Sequence, residues 1–233
     1  MYTSILTRGL RCTPEELCVP CVDALIHEHC LEIAVNGATL FALCCTPDHL
    51  REMVLGRLFT EGIIGDIGQV AAISLNETAE RAEVVLTAGA DPSRRRGPEA
   101  LEPVEPDPSV VFALVECFKA DSALHRSTNG AHTCYLRRPD GEILAFEDLS
   151  RHNALDKAVG AMLTAGADPA RCMIYTTGRV PSDMALKVVM ARIPVLVSKA
   201  VPTDAGVKLA EKYGLRLLCR AWPDSFVSYQ GES

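Results

Sequence analysis

The sequence predicts a two-part α/β protein, with a smaller α+β part over residues 1–108 and a larger α/β part over 109–233. Three observations predict it. Beyond residue 109, strand-like apolar runs alternate with helical runs of about ten residues, the pattern of parallel strands joined by crossover helices. Before residue 89 the runs read instead as a hairpin, a helix and two further strands. Between them, residues 89–109 hold five prolines, the triplet Arg94-Arg95-Arg96 and no hydrophobic periodicity, so this stretch reads as a mobile loop and interdomain linker.

The elements follow in order. Leu31, Ile33 and Val35 alternate with other residues, and a second apolar run ends at Cys45. Asn36-Gly37 between them predicts a hairpin, because both residues tolerate positive φ. Thr46-Pro47-Asp48 predicts a helix start, with Thr46 as N-cap and Pro47 in the first turn. Leu50, Met53, Val54 and Leu58 keep helical spacing until Gly62 stops them. Strands are predicted at 70–75 and 82–86, a helix at 110–120, and a hairpin of 133–136 with 142–146 around Pro139-Asp140-Gly141. Then come helix 153–165, strand 172–175, helix 182–192, strand 195–198, helix 203–213 and strand 215–219. Ligands of such sheets sit where strands end and helices begin. That rule points at the turns 176–182 and 199–204 and at the segment from Arg220 onward.

Composition narrows the function. Of 233 residues 48% are hydrophobic, enough for one large core or two small ones. The net charge of -7 argues against a general nucleic-acid binder while leaving room for one local anion site. No apolar run of about 18 residues is present to span a membrane, and Met1–Leu10 lacks a secretory pattern. The expected compartment is the cytoplasm. The ten cysteines sit mostly in apolar runs such as Leu43-Cys44-Cys45 and Leu218-Cys219, and are expected to be reduced core residues.

Four polar clusters can carry chemistry. The densest is Glu147-Asp148-Leu149-Ser150-Arg151-His152-Asn153-Ala154-Leu155-Asp156-Lys157, entering a helix. A helix start offers free N–H groups to an anion, and Arg151 adds a fork of donors. A solvated helix start with local salt bridges fits the same residues. In Ser127-Thr128-Asn129-Gly130-Ala131-His132, Gly130 permits close approach of a ligand. His132, taken alone, fits a satisfied core histidine better than a ligand contact. Thr176-Thr177-Gly178-Arg179-Val180-Pro181-Ser182 joins strand to helix with Ser182 as cap, and Lys199-Ala200-Val201-Pro202-Thr203-Asp204 repeats the arrangement with Thr203. Two successive turns bearing cations at one sheet edge are less ordinary than either alone. Cys18-Val19-Pro20-Cys21, with His27, His29 and Cys30, allows a zinc or redox site, although the second knuckle of a structural zinc site is missing. Phosphate-loop, dinucleotide, nucleophile-elbow and zinc-deaminase motifs are absent.

Together these segments resemble the formate dehydrogenase accessory sulfurtransferase family. Cys45-Thr46-Pro47-Asp48 through Leu55-Gly56-Arg57-Leu58-Phe59-Thr60-Glu61-Gly62-Ile63-Ile64 is similar to that family's C-T-P…L-G-F-L-x-T-E-G-I-I. Thr128-Asn129-Gly130-Ala131-His132 resembles T-G-G-x-H, and residues 147–157 match E-D-x-x-R-H-N-A-x-D-K almost in full. Thr177 to Ser182 resembles S-G-R-x-S, and Val201-Pro202-Thr203 resembles A-P-T. The similarity spans roughly residues 30–230.

The resemblance implies a larger domain of cytidine deaminase-like, three-layer α/β fold without zinc, a smaller α+β N-terminal domain, and a homodimer. It implies sulfur taken from a cysteine desulfurase and delivered to the molybdenum bis-molybdopterin guanine dinucleotide cofactor of formate dehydrogenase, with GDP as an analogue of the bound ligand. It places that ligand among Thr128, Gly130, His132, Arg151, His152, Asn153, Asp156, Lys157, Gly178, Arg179, Ser182, Lys199, Pro202 and Thr203, and against the turn Arg220-Ala221-Trp222-Pro223-Asp224-Ser225. Arg151, Lys157, Arg179 and Lys199 are expected to meet phosphates, and His132, Asn153 and Asp156 to orient the ligand or each other. One departure matters. The family's loop cysteine pair, C-G-x-C-G, lies about 30 residues before T-G-G-x-H, where this chain reads Asp91-Pro92-Ser93-Arg94-Arg95-Arg96-Gly97-Pro98. Arginine forms no persulfide. The leading expectation is therefore cofactor binding and insertion without a loop persulfide and with no assigned catalytic residue. The alternatives are a sulfurtransferase using Cys18 and Cys21, or a zinc-bearing interaction protein.

Overall fold

The structure, a computed structural model, describes residues 2–15 and 18–229, with backbone alone for 119–121. Its first element is an antiparallel ribbon of β1 (Ser4–Arg11) and β2 (Val19–Ile26), which the sequence reading left unassigned. The ribbon packs little of itself, and Leu6, Leu10 and Val22 are 78%, 66% and 63% exposed. A disulfide joins Cys12 to Cys18 near its turn, so these two depart from the expectation of reduced core thiols.

A four-stranded sheet follows, in the order β4-β3-β6-β5, from β3 (His29–Val35), β4 (Ala38–Cys45), β5 (Val70–Leu75) and β6 (Arg81–Leu86). β3 and β4 form the predicted hairpin, with Asn36 at φ 49° and Gly37 at φ 84°. Helix α1 (Leu50–Thr60) contributes Leu50, Met53, Val54 and Leu58 to the core, as their spacing predicts. It starts three residues later than expected. Thr46 does not cap it; that hydroxyl is drawn instead into a buried ionic network, and His49 occupies the N-cap without a side-chain bond. Gly62 ends the helix at φ +73°, with the Arg96 carbonyl only 2.3 Å from where a Cβ would sit.

Residues 87–107 contain no helix or strand, as predicted, yet the segment is tied down at several points. Arg96 N–H donates to the Gly62 carbonyl and Leu101 N–H to the Tyr213 carbonyl, both at 2.8 Å. Arg216 pairs with Glu105. These bonds answer the reading of a mobile linker, because local composition does not reveal distant acceptors.

The second sheet has six strands in the order β12-β11-β10-β9-β7-β8. They are β7 (His132–Arg137), β8 (Ile143–Asp148), β9 (Met173–Thr176), β10 (Val195–Ser198), β11 (Arg216–Trp222) and β12 (Ser225–Tyr229). β9, β10 and β11 run parallel, while β7, β8 and β12 are added antiparallel. Side chains alternate across it. Leu136, Ile174, Leu196 and Leu217 face the core shared with α4 (Arg151–Thr164), α5 (Ser182–Met190) and α6 (Asp204–Tyr213). Tyr135, Tyr175, Val197 and Leu218 face α2 (Pro108–Asp121) on the other side. Helix–sheet–helix layering results, the three-layer arrangement expected of the larger part. The short helix α3 (Ala123–Thr128) and strand β12 were not anticipated from the sequence.

The two sheets share one core. A single apolar cluster runs from Leu31 and Val84 through α1 and α4 to Leu217. α1 and α4 touch backbone to backbone at two glycines. An ideal Cβ on Gly56 would lie 1.8 Å from the Asp156 carbonyl oxygen, and one on Gly160 1.8 Å from that of Glu52. Among the described residues, no helix is long and apolar enough to cross a membrane.

Candidate functional site

Parallel strands with crossover helices put all their βα turns at one edge of the sheet. Here that edge is stitched together by hydrogen bonds between turns. Lys199 N–H donates to Thr176 O at 3.0 Å, Arg220 N–H to Ala200 O at 2.9 Å, and Thr177 N–H to Thr133 O at 3.1 Å. Ser198 Oγ donates to Gly178 O at 2.8 Å and accepts from Ala200 N–H at 3.0 Å. Val180 and Pro202 form a parallel bridge. β7 begins and β8 ends at this same edge, where His132 pairs with Asp148. The structure thus brings together the start of β7, the start of α4 and the three turns read from the sequence.

Arg151 opens α4 and lies flat against Gly178; a Cβ there would stand 2.8 Å from Arg151 Cδ. Only glycine leaves that space. Arg151 Nε is buried without a protein acceptor, a donor whose desolvation is uncompensated within the chain. His132 is half-buried beside Arg151, His125 and His152; burial first, and then these neighbours, hold its pKa below the usual histidine value. His152 Nε2 lies 3.0 Å from Asp183 Oδ2, and burial lowers its pKa although Asp183 opposes the shift. Lys199 Nζ sits 4.3 Å from the Phe118 ring centroid and 5.2 Å from that of Trp222, a cation framed by two aromatic faces. Arg179 and Arg220 are exposed, Arg220 at φ +51° where β11 shifts register.

Other residues of the predicted set take local roles. Thr203 caps α6 by accepting from Gly206 N–H at 3.1 Å, as expected. Ser182 does not cap α5; it is the first helical residue, and Pro181 holds the cap position. Thr128 Oγ1 donates to Leu124 O at 2.7 Å and accepts from Gly130 N–H at 3.2 Å. The Gly130 backbone approaches Ile26 of the ribbon within 3.1 Å of an ideal Cβ. Ala221 points into the core beneath α2, while Trp222, Pro223, Asp224 and Ser225 are exposed at the β11–β12 turn.

Three predicted residues turn away from the edge. Lys157 is fully buried, donating to Thr46 Oγ1 at 2.6 Å, Asp48 Oδ1 at 2.9 Å and Glu147 O at 3.0 Å, with Asp148 Oδ2 at 2.9 Å. Its three protons are taken by protein acceptors, so the structure gives it an internal ion-pair role in place of the expected phosphate contact. Burial pushes the Asp48 pKa up, but Lys157 and the Thr46 hydroxyl outweigh that and hold it below the usual range. Asn153 donates to Cys44 O at 2.8 Å and Asp148 Oδ1 at 3.0 Å. Asp156 accepts from Lys187 Nζ at 2.6 and 2.7 Å and from Thr60 Oγ1 at 2.8 Å. All three side chains join the first sheet and α1 to the second half of the chain. Conversely, Phe118 and His125 belong to the edge and were not singled out. Phe118 carries no local signal, because only the crossing of α2 behind the sheet brings it to Lys199.

The N-terminal cysteines and histidines do not converge. Cys18 is bonded to Cys12, and His29 Nε2 bonds the Ala79 carbonyl at 2.8 Å. Among the described residues no group of three or more His, Cys, Asp or Glu is placed to hold a metal ion. The edge itself, with an orphan guanidinium N–H, a framed ammonium, two exposed arginines and helix starts, is a donor set suited to a phosphate-bearing ligand.

Comparison with known proteins agrees with this architecture. A solved structure assigned to a formate dehydrogenase accessory protein of Desulfotalea psychrophila superposes with a TM-score of 0.84 at 25% identity, covering 98% of this chain and 97% of that one. The sulfur carrier protein FdhD of Methanothermobacter thermautotrophicus is 29% identical over 211 residues, 84% of this chain and 85% of its own length. That of Geobacillus kaustophilus is 28% identical over 235 residues, 91% and 89% of the two chains. The model of the FdhD/NarQ family matches residues 26–102 and 89–233. This chain therefore belongs to the FdhD/NarQ family.

Proposed function

We propose that this chain is a sulfur-handling accessory protein of formate dehydrogenase maturation, and that its six-stranded sheet edge holds a guanine dinucleotide arm of the molybdenum bis-molybdopterin guanine dinucleotide cofactor. One observation carries the reading: Arg151, half-buried against Gly178, keeps a buried, unpartnered Nε–H at an edge that also presents Lys199, Arg179 and Arg220. A pyrophosphate satisfies such donors, and the half-exposed Trp222 offers a face for a purine ring. His132, next to Arg151, is neutral near pH 7 and can donate one N–H to a ligand oxygen. When bound, the cofactor supplies the molybdenum centre that receives sulfur; the chain positions the phosphates and excludes water around them. The partners that fit are formate dehydrogenase as client and a cysteine desulfurase as sulfur source. The assembly proposed is a homodimer in the cytoplasm.

GDP is the probe. At about 100 times its dissociation constant, a ligand adds about 2.7 kcal/mol to stability, so GDP raises the melting temperature measurably. Arg151→Ala removes most of that rise. An unchanged melting temperature at saturating GDP, or a full shift in the variant, sinks the assignment of the site.

Sulfur handling also needs a thiol, and none lies between Cys45 and Cys117, where the related proteins are expected to carry theirs. A relay through Cys18 and Cys21 requires Cys18 to be free, and it is bonded to Cys12.

A further inference from the structure

Eight cysteines lie outside the disulfide, and two of them, Cys30 and Cys44, are exposed. They are not scattered. The β3–β4 register sets Cys30 directly opposite Cys44, and directly opposed residues on an antiparallel pair put their side chains on one face with Cβ atoms about 4.5–5.5 Å apart. Both line a cavity of about 480 Å³ on the open face of the first sheet, with Glu32, Asn76, Glu80 and Arg81. Hydrogen bonds to the Glu28 carboxylate and to Cys30 push the Cys44 thiol up to about 11, which keeps it mostly protonated. Four of the other six, Cys45, Cys134, Cys172 and Cys219, are buried. Burial pushes Cys45 up to about 12, Cys172 to about 11 and Cys219 to about 12, and raises Cys134 as well. A nucleophilic thiol must be both accessible and ionisable.

We propose that Cys30 and Cys44 form a dithiol that accepts and releases a sulfane sulfur, an assignment that rests on the sulfur-handling reading above. The Cys30 thiolate attacks the terminal sulfur of a donor persulfide. A bond forms between Cys30 Sγ and that sulfur, the donor's own S–S bond breaks, and the donor leaves as a thiolate with no net oxidation. Delivery to an acceptor nucleophile reverses the exchange, with the Cys30 thiolate as leaving group. When no acceptor is present, Cys44 attacks Cys30 Sγ slowly, through its small thiolate fraction. A Cys30–Cys44 disulfide forms, and the sulfane sulfur departs as hydrosulfide carrying the Cys44 proton. The two electrons gained by that sulfur come from the dithiol, so a small dithiol reductant is needed to reset the pair.

The test charges the full chain with a cysteine desulfurase and radiolabelled L-cysteine, then maps label by peptide. Label is expected on the Cys30 peptide, falling about tenfold or more in Cys30→Ser. Cys44→Ser is expected to keep the label on Cys30 and to lose hydrosulfide release and disulfide formation. Both side chains are exposed, so both variants should keep the wild-type melting temperature and its GDP shift. Labelling that survives Cys30→Ser, or that rests on Cys21, overturns the dithiol alone. A wild-type chain that takes no label on any cysteine overturns the sulfur-handling reading with it, whatever GDP does.

Discussion

Lys157 shows at the scale of one residue how a ligand-like motif becomes internal structure. Its ammonium is fully buried between Asp48 and Asp148, with the Thr46 hydroxyl and the Glu147 carbonyl completing the shell. Removing one member of a buried ion pair leaves an uncompensated charge, which costs about 3–5 kcal/mol. Lys157→Met is therefore expected to lower the urea midpoint by an amount equivalent to about 3–5 kcal/mol. A midpoint within experimental error of the wild type would remove the network as a source of stability. Arg151, six positions earlier, is the contrasting case. It sits in the first turn of the same helix and keeps a donor without a protein partner. Composition alone does not separate these two cations. Separating them requires knowing where Thr46 and Asp48 lie, more than a hundred residues away in the chain.

At the scale of elements, the α1–α4 crossing decides how the two halves of the chain meet. Gly56 and Gly160 let the backbones touch, and the obstructing atoms are carbonyl oxygens of rigid helices rather than flexible side-chain ends. Overpacking of a close contact costs about 1–3 kcal/mol, and backbone atoms yield less than side chains do. Gly160→Ala is expected to lose at least about 1–3 kcal/mol in chemical denaturation, and Gly56→Ala to behave alike. Unchanged stability in the Gly160→Ala variant would show that the helices can separate freely. The elements themselves were largely legible. The Asn36-Gly37 hairpin, the α1 stripe and the βα alternation after residue 109 appear with boundaries shifted by a few residues. The exposed β1–β2 ribbon was not, because its apolar residues face solvent on both sides and carry no amphipathic pattern. The start of α1 also differed, since the Thr46 hydroxyl found a stronger partner than a helix N–H, and at α5 Pro181 took the cap position expected of Ser182.

For the whole molecule, one apolar cluster continues from the first sheet through α1 and α4 into the second. Ion pairs with one fully buried partner cross the same boundary at Lys157–Asp48 and at Asp156 with Arg57. Parts that share a core unfold together. The intact chain is expected to melt in one calorimetric transition whose van't Hoff and calorimetric enthalpies agree; two resolved transitions would mean that the halves are independent. The amino-acid sequence by itself determined the class of fold, most of the element order from β3 to β11 and the sheet edge at which cations gather. Those follow from spacing within a few residues, through helix and strand periodicity and the geometry of βα turns. Only the tertiary structure decided which polar residues of the E-D-x-x-R-H-N-A-x-D-K run stay at that edge and which are sealed inside. It also decided that Cys30 and Cys44 face one another in the open. Charge pairing and thiol accessibility depend on which distant segments pack together, and no local pattern encodes that.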